Sequence, residues 1–331
     1  MKFLILRFSS IGDIVLTTPV VRCLKKKFPD AEIHYATKKA YHSIVQHNPY
    51  IHKIHLLDES FSGLIEKLKA ENFNYIIDLH HNLRTAVIKS RLRTKSFSFN
   101  KLNFDKWLMV NFKINWLPKT HIVDRYFATC NELGVVNDNK GLDYFITEDE
   151  KIDIKTLPHA FTNPYIGWVL GGLHKTKQFP AEKIIKALQQ INYPVILLGG
   201  KDEFAEAENI ISMVPEKTIF NACGKFTLNQ SASLVAAALA VVSNDTGLMH
   251  IAAAFKKPVI SLWGNTIPEF GMAPYYGNSP TNDIRLEVKN LSCRPCSKLG
   301  YNQCPEGHFK CMKQIDELKI TDIINSGGLF L

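Results

Sequence analysis

Long apolar runs are missing from this 331-residue chain. Its longest, Leu234 to Val242, holds nine residues, about half of what a bilayer-spanning helix needs. The opening Met1-Lys2-Phe3-Leu4-Ile5-Leu6-Arg7 places a basic residue before an apolar run. Arg7 closes that run after four residues, too few for the apolar region of a secretory signal. A cytoplasmic protein with no membrane span is therefore expected. Cysteine is sparse, seven in all, and Cys23, Cys130 and Cys223 stand alone, which argues against a secreted disulfide scaffold. Neither Gly-x-Gly-x-x-Gly nor the Walker-type Gly-x-x-x-x-Gly-Lys occurs, which weakens the dehydrogenase and NTPase readings.

What is present is ordinary globular material. Hydrophobic residues make up 46% and charged residues 21%, with 18 Gly and 15 Pro spread along the chain. That composition fills two ordinary cores, and the length suits two domains of about 150 residues each. The net charge of +9 is unevenly shared. Residues 1–155 carry 24 Lys and Arg against 17 Asp and Glu, and the remainder 16 against 14. The densest part is 80–119, where nine basic residues meet one acid, Asp105, and are interleaved with Phe97, Phe99, Phe104, Trp107, Phe112 and Trp116. Such a stretch is either a solvated face with core aromatics or a surface for an anionic partner, phosphorylated lipid head groups or nucleic acid.

Short β-branched runs alternate with longer helical patterns, as parallel α/β units do. Strands are expected near 2–8, 32–37, 52–57, 74–79 and 95–99, with helices over 14–28, 60–71 and 83–93. The second half repeats the pattern, with strands near 165–170, 194–199, 217–221, 239–243 and 257–262 and helices over 181–191, 202–213, 228–238 and 247–254. The chain thus reads as α/β, two Rossmann-like doubly wound parallel-sheet domains over 1–155 and 164–312. The segment Thr147 to Pro164 is the linker candidate. A last helix near 314–325, within a terminal segment 313–331, needs a partner surface that the sequence does not name. Ligands of open α/β sheets sit beyond the carboxyl ends of the strands, so two such domains facing across a cleft would hold the chemistry between them.

Three strand-to-helix turns carry candidate chemistry. The first, Ser9-Ser10-Ile11-Gly12-Asp13, sets small residues and free N–H groups at a helix start, with Asp13 a carboxylate able to take a proton or merely a favourable partner of the helix dipole. The second, Ser243-Asn244-Asp245-Thr246-Gly247 followed by His250, reads as a diphosphate cradle or as a capped helix with a packed histidine. In the third, Gly171 and Gly172 allow backbone contact with phosphate, while Lys175 or Lys177 supplies a point charge.

These residues resemble the family of ADP-heptose:lipopolysaccharide heptosyltransferases, glycosyltransferase family 9. The likeness rests on Ser9-Ser10-Ile11-Gly12-Asp13 with Thr18-Pro19, on Lys177-x-x-Pro180, and on Asp245-Thr246-Gly247-x-x-His250 followed by Pro258 and Gly264. It implies the GT-B architecture, with acceptor bound by the N-terminal domain and nucleotide sugar by the C-terminal one. It also implies inverting, metal-independent transfer of heptose from ADP-heptose to a lipopolysaccharide-core or related lipid-linked acceptor. Asp13 would be the general base and Lys177 the cation at the leaving diphosphate, while Asp245 and His250 would touch the sugar or its phosphate. Glu203 would bind ribose and Phe226 lie by adenine. His80, Asn82 and Arg84 are acceptor-side candidates or simply surface residues. In agreement, no Asp-x-Asp occurs, so the usual diphosphate–cation site of metal-dependent transferases is missing and no catalytic cofactor is expected.

The expected setting is the inner face of an inner membrane, with the basic 80–119 stretch meeting the acceptor peripherally. Other readings are a transferase using another nucleotide sugar, a GT-B-like nucleotide-sugar epimerase, or a nucleic-acid-binding module. Against the last stands the absence of any reader motif, so no nucleic-acid partner is expected. Cys293, Cys296, Cys304 and Cys311, with His308 as an alternative ligand, suit a tetrahedral structural zinc site. Reduced thiols or redox-linked pairs are the other readings.

Overall fold

The computed structural model describes residues 1–280 and 283–327, so the last four residues of the terminal segment, 328–331, lie outside the described residues. The chain divides into two compact units. One comprises Met1–Leu102 and Thr120–Phe145, the other Asn103–Lys119 and Ile146–Leu331. This division departs from a single cut near 155, because 103–119 leaves the first half to join the second unit. The expected linker also belongs there. Glu150 accepts from Asn229 Nδ2 at 2.8 Å, Ile152 N donates to Ser233 Oγ at 3.0 Å, and Phe161 is buried.

In the first unit β1 (Lys2–Leu6), β2 (Glu32–Lys38), β3 (Lys53–Leu57), β4 (Tyr75–Asp78) and β5 (Ser96–Ser98) form one sheet in the order β3-β2-β1-β4-β5, with every pair parallel. Helices cover both faces of such a sheet, so its central strand is apolar along its length rather than alternating. Phe3 to Leu6 are all fully buried. The helix expected over 14–28 is two helices, Ile11–Val15 and Thr18–Lys27. Pro19 explains the break: lacking an N–H, and with a ring that clashes one turn back, it fits only the first turn of a new helix.

The second unit has six strands, β6 (Ile166–Val169), β7 (Val195–Leu198), β8 (Ile219–Asn221), β9 (Ala240–Asn244), β10 (Val259–Trp263) and β11 (Asp283–Glu287), in the order β11-β10-β9-β6-β7-β8, again parallel. The sequence reading missed β11. Its alternating Asp-Ile-Arg-Leu-Glu is tolerated because it is an edge strand paired only with β10. The terminal helix, Glu317–Asn325, packs on the Ala181–Gln190 helix of the same unit. Ile320 and Ile324 join Ile184 and Leu188 in one buried cluster, each such side chain stabilising by about 1.5–3 kcal/mol. Lys183 pairs with Glu317 at 2.5 Å beside them.

Candidate active site

Each sheet has one point where the chain reverses its direction of travel, and crevices open there at the carboxyl ends of the strands. In the first unit the reversal lies between β1 and β4, in the second between β6 and β9. Apart from Glu203 and Phe226, which follow β7 and β8, the candidate residues fall at these two points. Ser9 to Asp13 follow β1 and His80 to Arg84 follow β4. Gly171 and Gly172 follow β6, and Asp245 to His250 follow β9.

In the first unit, Arg7 continues β1 and is buried. Its Nη1 donates to Leu79 O at 2.5 Å and Tyr126 Oη at 3.0 Å, and its Nε to Ser9 O at 2.7 Å. The remaining nitrogen, Nη2, reaches Asp13 Oδ1 at 2.6 Å. Ser10 completes the setting, its N and Oγ donating to Asp13 Oδ2 at 3.2 and 2.8 Å. The Asp13 side chain is thus oriented on both oxygens while 22% of it remains exposed. Burial weakens the charged form of Arg7, but Asp13, Tyr126 and Tyr35 around it outweigh that and raise its pKa. Next to the pair, His80 is pushed down to about 4, first by burial and then by the charges of Arg7 and Lys101, so it is a neutral imidazole at pH 7. Asn82 is committed to structure: its Oδ1 caps the Leu83–Leu92 helix by accepting from Thr85 N at 3.0 Å. The Arg84 guanidinium lies 5.7 Å from the ring of Phe8 and 5.9 Å from that of Phe61.

In the second unit, Lys177 Nζ pairs with Asp245 Oδ2 at 2.5 Å, with 16% and 12% of the two side chains exposed. Thr266 Oγ1 donates to the same oxygen at 3.0 Å. Thr246 precedes the Gly247–Ala254 helix without a side-chain cap bond; its hydroxyl lies 3.1 Å from Ser243 Oγ. Asn244 Nδ2 donates to Leu170 O at 3.1 Å, tying β9 to β6. Beside β6, a side chain at Gly171 would come within 3.3 Å of the Glu203 carboxylate, and that carboxylate accepts from Gly200 N at 2.8 Å. Beyond β8, Phe226 sits 6.4 Å from Phe220. Strand order therefore sets Thr246, Gly171, Glu203 and Phe226 in a row across the edge of the sheet. His250 is 2% exposed, and Asp245, at 12%, is held by Lys177 and Thr266.

Residues 62–302 match the model of Glycosyltransferase family 9 (heptosyltransferase). The chain belongs to glycosyltransferase family 9. Among its relatives is the "Lipopolysaccharide heptosyltransferase 3" of Escherichia coli K12, 26% identical over 77% of this chain and 80% of the relative. Two solved structures share the fold. A family 9 glycosyl transferase from Veillonella parvula aligns with TM-score 0.78 and 22% identity over 99% of this chain and 97% of that one. An E. coli heptosyltransferase with ADP-2-deoxy-2-fluoro heptose aligns with TM-score 0.70 and 20% identity, over 99% and 100%. The fold is GT-B, and the chain is an enzyme of the heptosyltransferase type. No helix among the described residues is long and apolar enough to cross a membrane.

The family 9 enzyme braces its Lys177–Asp245 pair with residues that sequence reasoning missed. Tyr301 O accepts from Thr176 N and Oγ1, each at 3.1 Å, and Tyr301 N donates to Thr176 Oγ1 at 2.8 Å, fixing the residue before Lys177. Arg294 donates to Gly264 O at 2.6 Å and Thr266 O at 3.0 Å, fixing the residue that holds Asp245. Both braces come from the cysteine-rich loop. Gly300 in that loop has φ +135°, and a Cβ there would lie 2.5 Å from His174 Cβ, so only glycine fits. Arg7 gave no signal beyond being an arginine at the end of an apolar strand, and Arg294 none beyond its place between Cys293 and Cys296.

Cys293, Cys296, Cys304 and Cys311 line one small pocket with His308 and Asn265. Cys293 Sγ is 3.8 Å from His308 Nε2, but no three of these ligand atoms lie within 4.8 Å of one another. Among the described residues that spacing is met only at the amino end of the first sheet, by Glu32, His34 and His52 and by His34, His55 and Glu71. There, Lys53 at 2.5 Å and Lys2 at 3.3 Å already neutralise Glu71, and His34 Nδ1 is 2.9 Å from His55 Nε2. That group is a hydrogen-bonded charge cluster.

Proposed function

We propose that this enzyme transfers a heptose from ADP-heptose to a hydroxyl of a lipopolysaccharide-core or related lipid-linked acceptor. Transfer inverts the anomeric carbon and uses no catalytic metal, and the enzyme works peripherally at the inner face of the inner membrane. The observation that carries the reading is an ion pair at the switch point of each sheet: a carboxylate presented by a buried arginine in one unit, and a lysine held by a carboxylate in the other.

The first unit takes the acceptor and the second the donor. In the second unit, the N–H groups at the start of the Gly247–Ala254 helix and the backbone of Gly171 and Gly172 receive the diphosphate. Asp245 contacts the sugar or its phosphate, Glu203 the ribose, and Phe226 lies beside adenine. Lys177, with Lys175 adding charge, turns from Asp245 to the phosphate oxygen that departs. As the bond from the anomeric carbon to that oxygen breaks, its electron pair leaves with ADP, and a cation preplaced where negative charge develops lowers the barrier. In the first unit, Ser9, Ser10 and Gly12 frame Asp13, which takes the proton of the acceptor hydroxyl as its oxygen bonds to the anomeric carbon. An ordinary carboxylate suffices, because the attacking oxygen becomes acidic only late in the step. His80 and Arg84 are the acceptor contacts, and Asn82 serves through its cap.

The test is transfer itself, followed by mass spectrometry with ADP-heptose and a lipid-linked core acceptor, together with thermal shifts for ADP, UDP and GDP. The expected result is a heptosylated product and a stabilising shift for ADP, since a ligand of the native state raises its melting point. A shift confined to UDP or GDP gives the enzyme another donor; nucleotide-sugar isomerisation without transfer makes it an epimerase.

The proposal includes a structural zinc on Cys293, Cys296, Cys304 and Cys311, with His308 as the alternative fourth ligand. It is supported by their shared pocket and by the 3.8 Å between Cys293 and His308, close to the roughly 3.5 Å that separates two ligands of a tetrahedral zinc. Its role would be to stiffen the loop that braces Thr176 and Thr266. Elemental analysis after chelator-free purification should find one zinc per chain, and none rejects the site.

A further inference from the structure

The Asn103–Phe112 helix buries one side chain of ten, Leu108. Its aromatic residues point the other way: Phe104, Trp107 and Phe112 are 61%, 48% and 59% exposed, and Trp116 just beyond is 64% exposed. They form one patch. Ring centroids lie 6.1 Å apart for Phe104 and Trp107, 6.4 Å for Phe104 and Trp116, and 5.2 Å for Trp107 and Phe112. A whole aromatic side chain offers about 150–250 Å², so at these exposures the patch amounts to several hundred Å², the size of the largest apolar patch on a typical monomer, which is often functional. A core helix would turn this face inward. Beside Leu108 the segment is held by two lysines. Lys113 Nζ donates to Pro295 O at 2.7 Å, and Lys106 Nζ lies 5.6 Å from the Phe270 ring.

The surroundings of the patch decide what covers it. Residues 103–119 carry Lys106, Lys113 and Lys119 against Asp105 alone. A second copy of the chain would bring the same positive face and be repelled. An anionic surface with an apolar interior just beneath it satisfies both features, and indole and phenyl rings favour that boundary. We infer that the Asn103–Phe112 helix and Trp116 are a membrane anchor that inserts its aromatic face into the head-group region of an anionic lipid bilayer. The inference deepens the proposed function by naming the surface through which a lipid-linked acceptor is reached. Its test involves no sugar transfer, so either can fail alone.

The experiment is sedimentation with phosphatidylcholine vesicles with and without phosphatidylglycerol, read alongside tryptophan fluorescence. Trp168 and Trp263 are buried, so a lipid-induced change reports Trp107 and Trp116. The expected result is sedimentation with phosphatidylglycerol vesicles, an emission shift to the blue, and quenching by brominated acyl chains, all weakened by salt. The W107S/W116S variant, whose changes are exposed and whose folding is checked by circular dichroism, should bind these vesicles at least about tenfold more weakly. Lys119→Gln should weaken binding about fivefold. Unchanged emission and no quenching in the wild type overturn the inference. So does vesicle binding that the serine variant leaves intact, or a vesicle-free dimer that the same variant dissolves, which would give the face to a second copy.

Discussion

The two units place an acid and a base at the same point of similar sheets, yet hold them in opposite ways. In the first, the cation is buried and committed: Arg7 is fixed by Leu79, Ser9 and Tyr126 before it meets Asp13. In the second, the carboxylate is the held member, with Thr266 on Asp245, while Lys177 stands on the short helical turn Lys175–Lys177 with Asp245 as its partner. A guanidinium with all of its nitrogens engaged cannot be handed to a substrate, so it presents its carboxylate. A lysine with one partner can exchange that partner for a phosphate. On the proposed function, the same pair of charges serves as a proton acceptor in one unit and an anion receptor in the other.

The largest expected effect separates these two roles. Asp13→Asn should lower turnover about 10³-fold, within the range of a lost general base, and steady-state rates would show it; near-normal turnover would assign the proton elsewhere. Arg7→Met should cost about 3 kcal/mol of stability, because three acceptors and a carboxylate lose their partner, and denaturant melts would record the loss. A small change there would mean that Asp13 is positioned without it. Lys177→Ala should lower turnover about 10²-fold. Gly300→Ala should cost about 1–3 kcal/mol through its clash with His174, and should carry the Lys177 loop with it, visible as weaker ADP binding in the same preparation.

The last effect is in acid. His55 is pushed down to about 4 by burial and by the neighbouring charge of His34, and His80 also to about 4. Both lie in the first unit. Their unfolded values are near 6.5, so the unfolded chain binds more protons between these limits. Stability is therefore complete well above pH 6.5 and is lost as pH falls through 6.5 toward 4, by about 2 kcal/mol per histidine at pH 5. Hydrogen exchange at pH 7 and 5 should show the first unit loosening before the second, and His55→Gln should reduce the difference. Equal loosening of both units would break the contrast.

The alternation of strands and helices was legible because period and turn chemistry are local. So were the three turns at the switch points, whose small residues, glycines and capping groups state their conformation directly. What was not legible depends on residues distant in sequence. Burial of Arg7 is decided by Leu79 and Tyr126, and the pairing of Lys177 with Asp245 spans 68 residues. The aromatics of 103–116 read equally well as core, and their exposure emerged only once Leu108 was seen to be the buried residue of that helix. Strand β11 was hidden by its charges, which an edge position permits.

Titration calorimetry of ADP with the wild type, Asp13→Asn and Lys177→Ala tests most directly whether the two ion pairs work in opposite senses. Affinity should be unchanged by the aspartate substitution and clearly reduced by the lysine substitution. If ADP binds Lys177→Ala as tightly as the wild type, or loses its hold on Asp13→Asn, the assignment of one pair to the proton and the other to the phosphate is wrong.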